Sequence, residues 1–117
     1  MYEKSKNLFD CHIAGFNYYD GLDVIDALKL GTKLKLKAEP DNPFDADAVV
    51  IYYGETKLGY VPRAKNNLVS DLLYFGHGDI IEAKINSHNP QAHVDNQFHI
   101  VVRLVDNRKG VKYDSTD

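Results

Sequence analysis

Hydrophobic positions follow two different periods along the chain, and the switches between them mark its elements. Phe9, Cys11 and Ile13 share one face of the run from Leu8 to Phe16, which predicts a first strand. From Asp20 to Leu28 the spacing becomes three. Leu22, Ile25 and Leu28 recur with Asp23 and Asp26 between them, predicting a short helix with Asp20 as its N-cap and Gly31 as its stop. Thr32 to Ala38 alternates cleanly: Leu34, Leu36 and Ala38 on the apolar face, Lys33, Lys35 and Lys37 on the wet one. Ala48 to Tyr53 is an unbroken apolar run of the length of a central strand. Gly54-Glu55 breaks it, and Lys57 to Val61 follows as its partner strand, ended by Pro62. Between Ala64 and Phe75, the residues Leu68, Val69, Leu72, Leu73 and Phe75 fall on one side of a helix that Gly76 terminates. Ile81, Ala83 and Ile85 alternate with polar neighbours, as do Phe98, Ile100, Val102 and Leu104, which predicts two more strands. The polar stretch Ser87 to Asn96, with Asn89-Pro90 inside it, is the loop between them. From Asp106 onward the chain is polar and aperiodic, as in a frayed tail.

The expected order is thus β, short α, β, β, β, α, β, β. The class is mainly β (α+β): a small, closed or nearly closed six-stranded β-barrel with one amphipathic helix and one short helix. The expected organisation is an N-terminal extension at 1–7, one domain at 8–105 and a polar tail at 106–117. At 117 residues the chain is one domain with room for a real core. No apolar run approaches the roughly 20 residues of a membrane span, and no apolar segment follows the charged start as in a signal peptide. The single cysteine, Cys11, allows no internal disulfide. It reads as a small apolar core residue rather than a nucleophile. A cytoplasmic protein with no membrane association is the expectation.

The net charge of −3 argues against a bulk electrostatic grip on nucleic acid. Any such contact would be local and driven by shape. The Lys33, Lys35, Lys37 row reads either as a solvated face that discourages edge pairing or as a stripe facing phosphates.

Candidate chemistry concentrates in Glu39-Pro40-Asp41-Asn42-Pro43-Phe44-Asp45-Ala46-Asp47-Ala48. Two prolines fix φ and push the preceding residues toward extended geometry. Asn42 and Asp45 can bond the local backbone and hold the turn. Phe44 then has two readings: it fills the core, or it stands beside Asn42 and Asp45 as the wall of a pocket for a ring- and hydroxyl-bearing ligand. Tyr18 and Tyr19 are adjacent and cannot point the same way, so one packs while the other lies open. Open aromatics are stacking platforms for bases. Gly59 lets a backbone or ligand approach Tyr60 closely. Arg63 and Lys65 stand at a strand-to-helix junction, where backbone N–H groups also favour an anion.

Catalytic motifs are weak. The chain has no phosphate-binding glycine loop, no Gly-x-Ser-x-Gly and no His-Glu-x-x-His. His88, His93 and Asp95 lack a matched fourth ligand. Asp41, Asp45 and Asp47 lack the glycine and distal glutamate of a calcium loop. No catalytic residue, metal site or cofactor is expected.

Three segments together resemble a HIRAN domain: Gly15-Phe16-Asn17-Tyr18-Tyr19, then Asn42-Pro43-Phe44-Asp45-x-x-Ala48-Val49, then Gly59-Tyr60-Val61-Pro62 ahead of a leucine-rich helix. The resemblance spans about Leu8 to Val105. It implies an OB-like barrel and a non-enzymatic module that binds single-stranded DNA at free 3′-hydroxyl ends. Such domains occur in fork-remodelling helicases of the SNF2 class and as small stand-alone bacterial or phage proteins. The implied setting is DNA repair or stalled-fork processing, alongside helicase or nuclease proteins, with nucleoid association. By the same resemblance, Tyr18 and Tyr19 match an aromatic pair near the terminal nucleotides and Phe44 a base-stacking ring. Asp45 matches the acceptor for the 3′-hydroxyl, and Tyr60 and Arg63 match positions near the phosphates. Asn17 stands where the DNA-binding helicase members carry arginine. Two rival readings keep the fold and change the role: a protein–protein adaptor using the same aromatic groove, and a nuclease accessory with a metal at Asp41, Asp45 and Asp47.

Overall fold

A computed structural model describes residues 5–108. The predicted tail beyond Arg108 lies outside the described residues. Among the described residues there are six strands: β1 (Ser5–His12), β2 (Lys33–Ala38), β3 (Val49–Tyr53), β4 (Thr56–Tyr60), β5 (Ile81–His88) and β6 (Phe98–Val105). One α-helix, α1 (Asn67–Tyr74), sits between β4 and β5. The strands form one antiparallel sheet in the order β1-β6-β5-β2-β3-β4. β1 starts at Ser5, ahead of the expected Leu8, because Ser5 to Asn7 pair with Arg103 to Val105.

The alternation holds where it was read. Leu36, Ala83, Ile85, Phe98, Ile100 and Val102 are buried, while Lys33, Lys35 and Lys37 are exposed. The small β-rich fold is OB-like, but the sheet does not close into a barrel. Among the described residues, its two outer strands are joined by one residue pair, Ala14 with Tyr60, through two hydrogen bonds of 2.8 and 2.9 Å. A side chain at residue 59 would collide with the Ala14 carbonyl oxygen, so only glycine lets the two backbones meet. Beyond Ala14 the chain bends into a 3-10 turn, Phe16–Tyr18, and pairing stops.

Both helix expectations need correcting in detail. Asp20–Ala27 is 3-10 rather than α, which accounts for the three-residue spacing, since side chains at i and i+3 eclipse in that geometry. Its N-cap is Tyr19, with no side-chain cap, and not Asp20. Leu22 is exposed, while Val24, Ile25 and Leu28 pack on the core. The later helix is only eight residues long, preceded by a separate 3-10 turn, Arg63–Lys65. Two turns offer one i, i+4 seam, so Val69 and Leu73 reach the core. Leu68 and Phe75, expected on that side, are exposed.

Cys11 is buried in the core, and burial pushes its thiol up to about 12. It packs as a small apolar residue and stays protonated at neutral pH. Among the described residues no helix is long and apolar enough to cross a membrane.

Candidate nucleic-acid interface

The segment joining β2 to β3 turns back on itself through its own backbone. Glu39 N–H donates to Ala48 O (2.8 Å), Asn42 N–H to Glu39 O (3.0 Å) and Ala48 N–H to Asp45 O (3.1 Å). Side chains then complete the turn. Asn42 Oδ1 accepts from Phe44 N–H (2.8 Å) and Asp45 N–H (3.1 Å), and Asp45 Oδ1 accepts from Asp47 N–H (2.9 Å). From outside the loop, Arg63 Nη2 donates to Phe44 O at 2.7 Å. The backbone around Phe44 is therefore held on both sides, and its ring is left 84% exposed. Of the two readings of Phe44, the core one is excluded.

Across from this loop stands the segment after β1. Phe16 anchors it: the ring is fully buried against Gly21 and lies 5.4 Å from Phe98. Asn17 N–H donates to Asp95 Oδ1 at 2.9 Å, which ties the turn to the β5–β6 connection. The two tyrosines part as expected. Tyr18 is 80% exposed, while Tyr19 packs edge-on against Tyr60 at 5.7 Å.

Between the two loops lies a cleft of about 460 Å³. Six of the predicted residues line it: Tyr19, Asn42, Phe44, Asp45, Tyr60 and Arg63. Asn17 and Tyr18 do not, standing exposed beside it. Lys65 turns away altogether. Its ammonium donates to Asp10 O (2.8 Å) and sits 5.9 Å above the Phe9 ring, so it is engaged with β1.

Polar groups at the cleft are fixed in charge as well as position. The Asp47 N–H holds the Asp45 carboxyl below its ordinary range against the pull of partial burial. Asn66 Nδ2, 2.8 Å from Asp45 Oδ2, and Arg63 Nε at 3.5 Å add to it. A carboxylate offers about four lone-pair positions; the Asp47 N–H takes one on Oδ1, while Asn66 and Arg63 engage Oδ2. At the other wall, burial pulls the Glu39 carboxyl upward. Asn42 Nδ2 (2.7 Å), Tyr60 O–H (2.9 Å) and the Lys57 charge outweigh that and keep it lowered. Lys57 Nζ donates to Tyr60 Oη (2.8 Å) while lying 4.4 Å above Tyr19 and 4.6 Å above Tyr60. The sequence reading missed Glu39, Lys57, Asn66 and Asp95. Glu39 had a visible signal, as it opens the same turn, and Asp95 stood out only beside His88 and His93.

The HIRAN domain family model matches residues 6–105. This chain belongs to the HIRAN domain family. HIRAN is a family of binding domains, known as nucleic-acid-binding domains of helicase-like proteins. A crystal structure of a Lactobacillus plantarum protein superposes with a TM-score of 0.72 at 19% identity, covering 87% of this chain and 96% of that one. The HIRAN domain of human HLTF superposes with a TM-score of 0.52 at 19% identity, over 87% of this chain and 81% of that one. At such identity the likeness is one of fold. No curated protein sequence matches the chain.

Metal-like constellations read from the sequence do not assemble in this HIRAN fold. Asp47 Oδ2 accepts from Asn67 Nδ2 (3.0 Å) while Asp45 faces Asn66 and Arg63. His88 stacks on Phe98 at 4.5 Å, and His93 Nδ1 accepts the Asp95 N–H at 3.2 Å. Among the described residues no three His, Cys, Asp or Glu side chains are grouped to hold a metal.

Proposed function

We propose that this protein binds single-stranded DNA at a free 3′-hydroxyl end, as a non-catalytic module acting in DNA repair or stalled-fork processing. Helicase or nuclease proteins that work on the same ends are its expected companions. The observation that carries the reading is the Asp45 carboxylate. Its pKa is lowered, it is held by the Asp47 N–H, Asn66 and Arg63, and it lines the same cleft as the open Phe44 ring. A terminal hydroxyl can donate to that carboxylate, whereas an internal or terminal phosphate has no such proton and is repelled. Phe44 offers its face to the last base, and Arg63 supplies one cation at the rim for the last phosphate. That cation favours a strand over the apolar peptide an adaptor would take. Asp45 and Asp47, each engaged by an asparagine, support a binding role over a metal-dependent one.

Fluorescence anisotropy with one oligonucleotide bearing either a 3′-hydroxyl or a 3′-phosphate tests this. The hydroxyl form binds more tightly by about 1.5–3 kcal/mol, the worth of a hydrogen bond to a charged group. Asp45→Asn, which keeps the shape and removes the charge, narrows that gap. Equal affinity for the two ends in the wild-type protein would sink the proposal.

A further inference from the structure

The face of the sheet opposite the core continues the cleft. Residues paired directly across an antiparallel ladder share a face. Tyr60, a wall of the cleft, pairs with Val50, and Val50 pairs with Lys37. One step along, Lys57 pairs with Tyr52 and Tyr52 with Lys35. At the far end Lys33 pairs with Lys84. Leu34 and Leu36 point the other way, into the core. Val50 is buried yet stands apart from the main core cluster. Its ladder partners on this face are Tyr60 and Lys37. Lys37 Nζ lies 5.3 Å above the Tyr52 ring.

The charges on this face are one-sided in a chain of net charge −3. Glu39 is engaged by Asn42 and Tyr60, and Glu82 lies 3.4 Å from Lys84. Among the described residues, Lys33, Lys35 and Lys37 form no ion pair. β2 lies between β5 and β3: Lys33 and Leu34 pair with β5, and Lys35 to Ala38 pair with β3.

We propose that the Lys37, Lys35, Lys33 row is a backbone track for the same strand whose 3′ end the cleft receives. The phosphodiesters on the 5′ side of the terminal nucleotides leave past Tyr60 and Tyr52 and run along β2. Successive lysines are ~6.6 Å apart, a spacing comparable with that of neighbouring phosphates in an extended strand. Flexible ammonium groups neutralise phosphates without reading bases, so the track adds affinity and no sequence preference. This rests on the end-binding reading above, because the cleft sets where the track begins.

Length and salt together test it. The probes are 3′-hydroxyl oligothymidylates of about three and about twelve nucleotides, titrated by anisotropy between about 50 and 200 mM salt. The short probe stays in the cleft and has a shallow salt slope. The long one engages about three more phosphates, so its log–log slope is steeper by roughly −2, and it loses roughly 20-fold more affinity across that range. The triple variant Lys33→Gln, Lys35→Gln, Lys37→Gln brings the two slopes together and leaves the short probe's affinity unchanged. Its melting temperature is measured alongside. Equal slopes for both lengths in the wild-type protein, or a folded triple variant that binds the long probe like wild type, would overturn the track. A long probe ending in 3′-phosphate that binds as well as the hydroxyl form, and still responds to the lysine changes, would overturn end recognition alone. Failure of the wild-type protein to bind either length would overturn both.

Discussion

The two loops that wall the cleft are held by opposite means. The loop after β1 buries a ring: Phe16 has no exposure, fills the space that Gly21 leaves open and meets Phe98. The loop between β2 and β3 buries no ring. Its Phe44 faces solvent, and its shape comes from Asn42, Asp45, Arg63 and Asn66 bonding backbone and one another. Packing energy fixes the first, and hydrogen-bond geometry fixes the second. The contrast has a functional logic. A ring meant to stack on a ligand cannot also serve as an anchor, so the loop presenting it needs polar ties. A loop with an apolar anchor can instead spare Tyr18 for the surface.

The sharpest break of that contrast is at Phe16. Phe16→Ala removes a fully buried ring and leaves a cavity beside Gly21, costing about 3–5 kcal/mol in urea unfolding. A cost below about 1 kcal/mol would mean that the first loop is not anchored by its ring.

Phe44→Ala is the matched substitution in the second loop. It should cost less than about 1 kcal/mol of stability, as for an exposed side chain. Affinity for a 3′-hydroxyl single strand should nonetheless fall by about 1–3 kcal/mol, the worth of one base stacked on an aromatic. If Phe44→Ala destabilises as much as Phe16→Ala, the two loops do not differ in kind.

The smallest effect is in pH. The folded pKa of Asp45 lies below its ordinary 3.8. The unfolded chain therefore takes up this proton first as pH falls. The Asp45 contribution is fully present above the ordinary carboxylate range and is lost as pH drops through the lowered folded value. The stability difference between wild type and Asp45→Asn should be constant from about pH 5 to 8 and shrink only in stronger acid. Thermal melts of both proteins across that range check it. A difference that changes near neutrality would show that some other group governs the loop.

Much of this was legible in the sequence, because side-chain direction in a strand is a local property. A period of two forces alternate residues to opposite faces whatever the strand's neighbours. Leu34, Leu36, Ala83, Ile85, Ile100 and Val102 therefore declared the core, and Lys33, Lys35 and Lys37 the outside. Turn chemistry is equally local: the bonds Asn42 and Asp45 make to backbone span two or three residues. The split between Tyr18 and Tyr19 followed from adjacency alone. The short α1 was misjudged because apolar spacing shows a helical face and not how many turns of it find a partner. That left Leu68 and Phe75 outside.

What the tertiary structure alone decided depends on residues distant along the chain meeting in space. Asn66 reaches Asp45 across 21 positions, and Asn17 reaches Asp95 across 78. Lys65, next to Asn66, goes instead to the Asp10 carbonyl on β1. Neighbours in sequence thus find different partners, one on β1 and one in the loop between β2 and β3. The open sheet has the same origin. Gly59 marked in the sequence where a backbone could approach, but only the packed chain shows that the partner is Ala14. Local rules determine which way each side chain points; only the packed chain determines what it finds there.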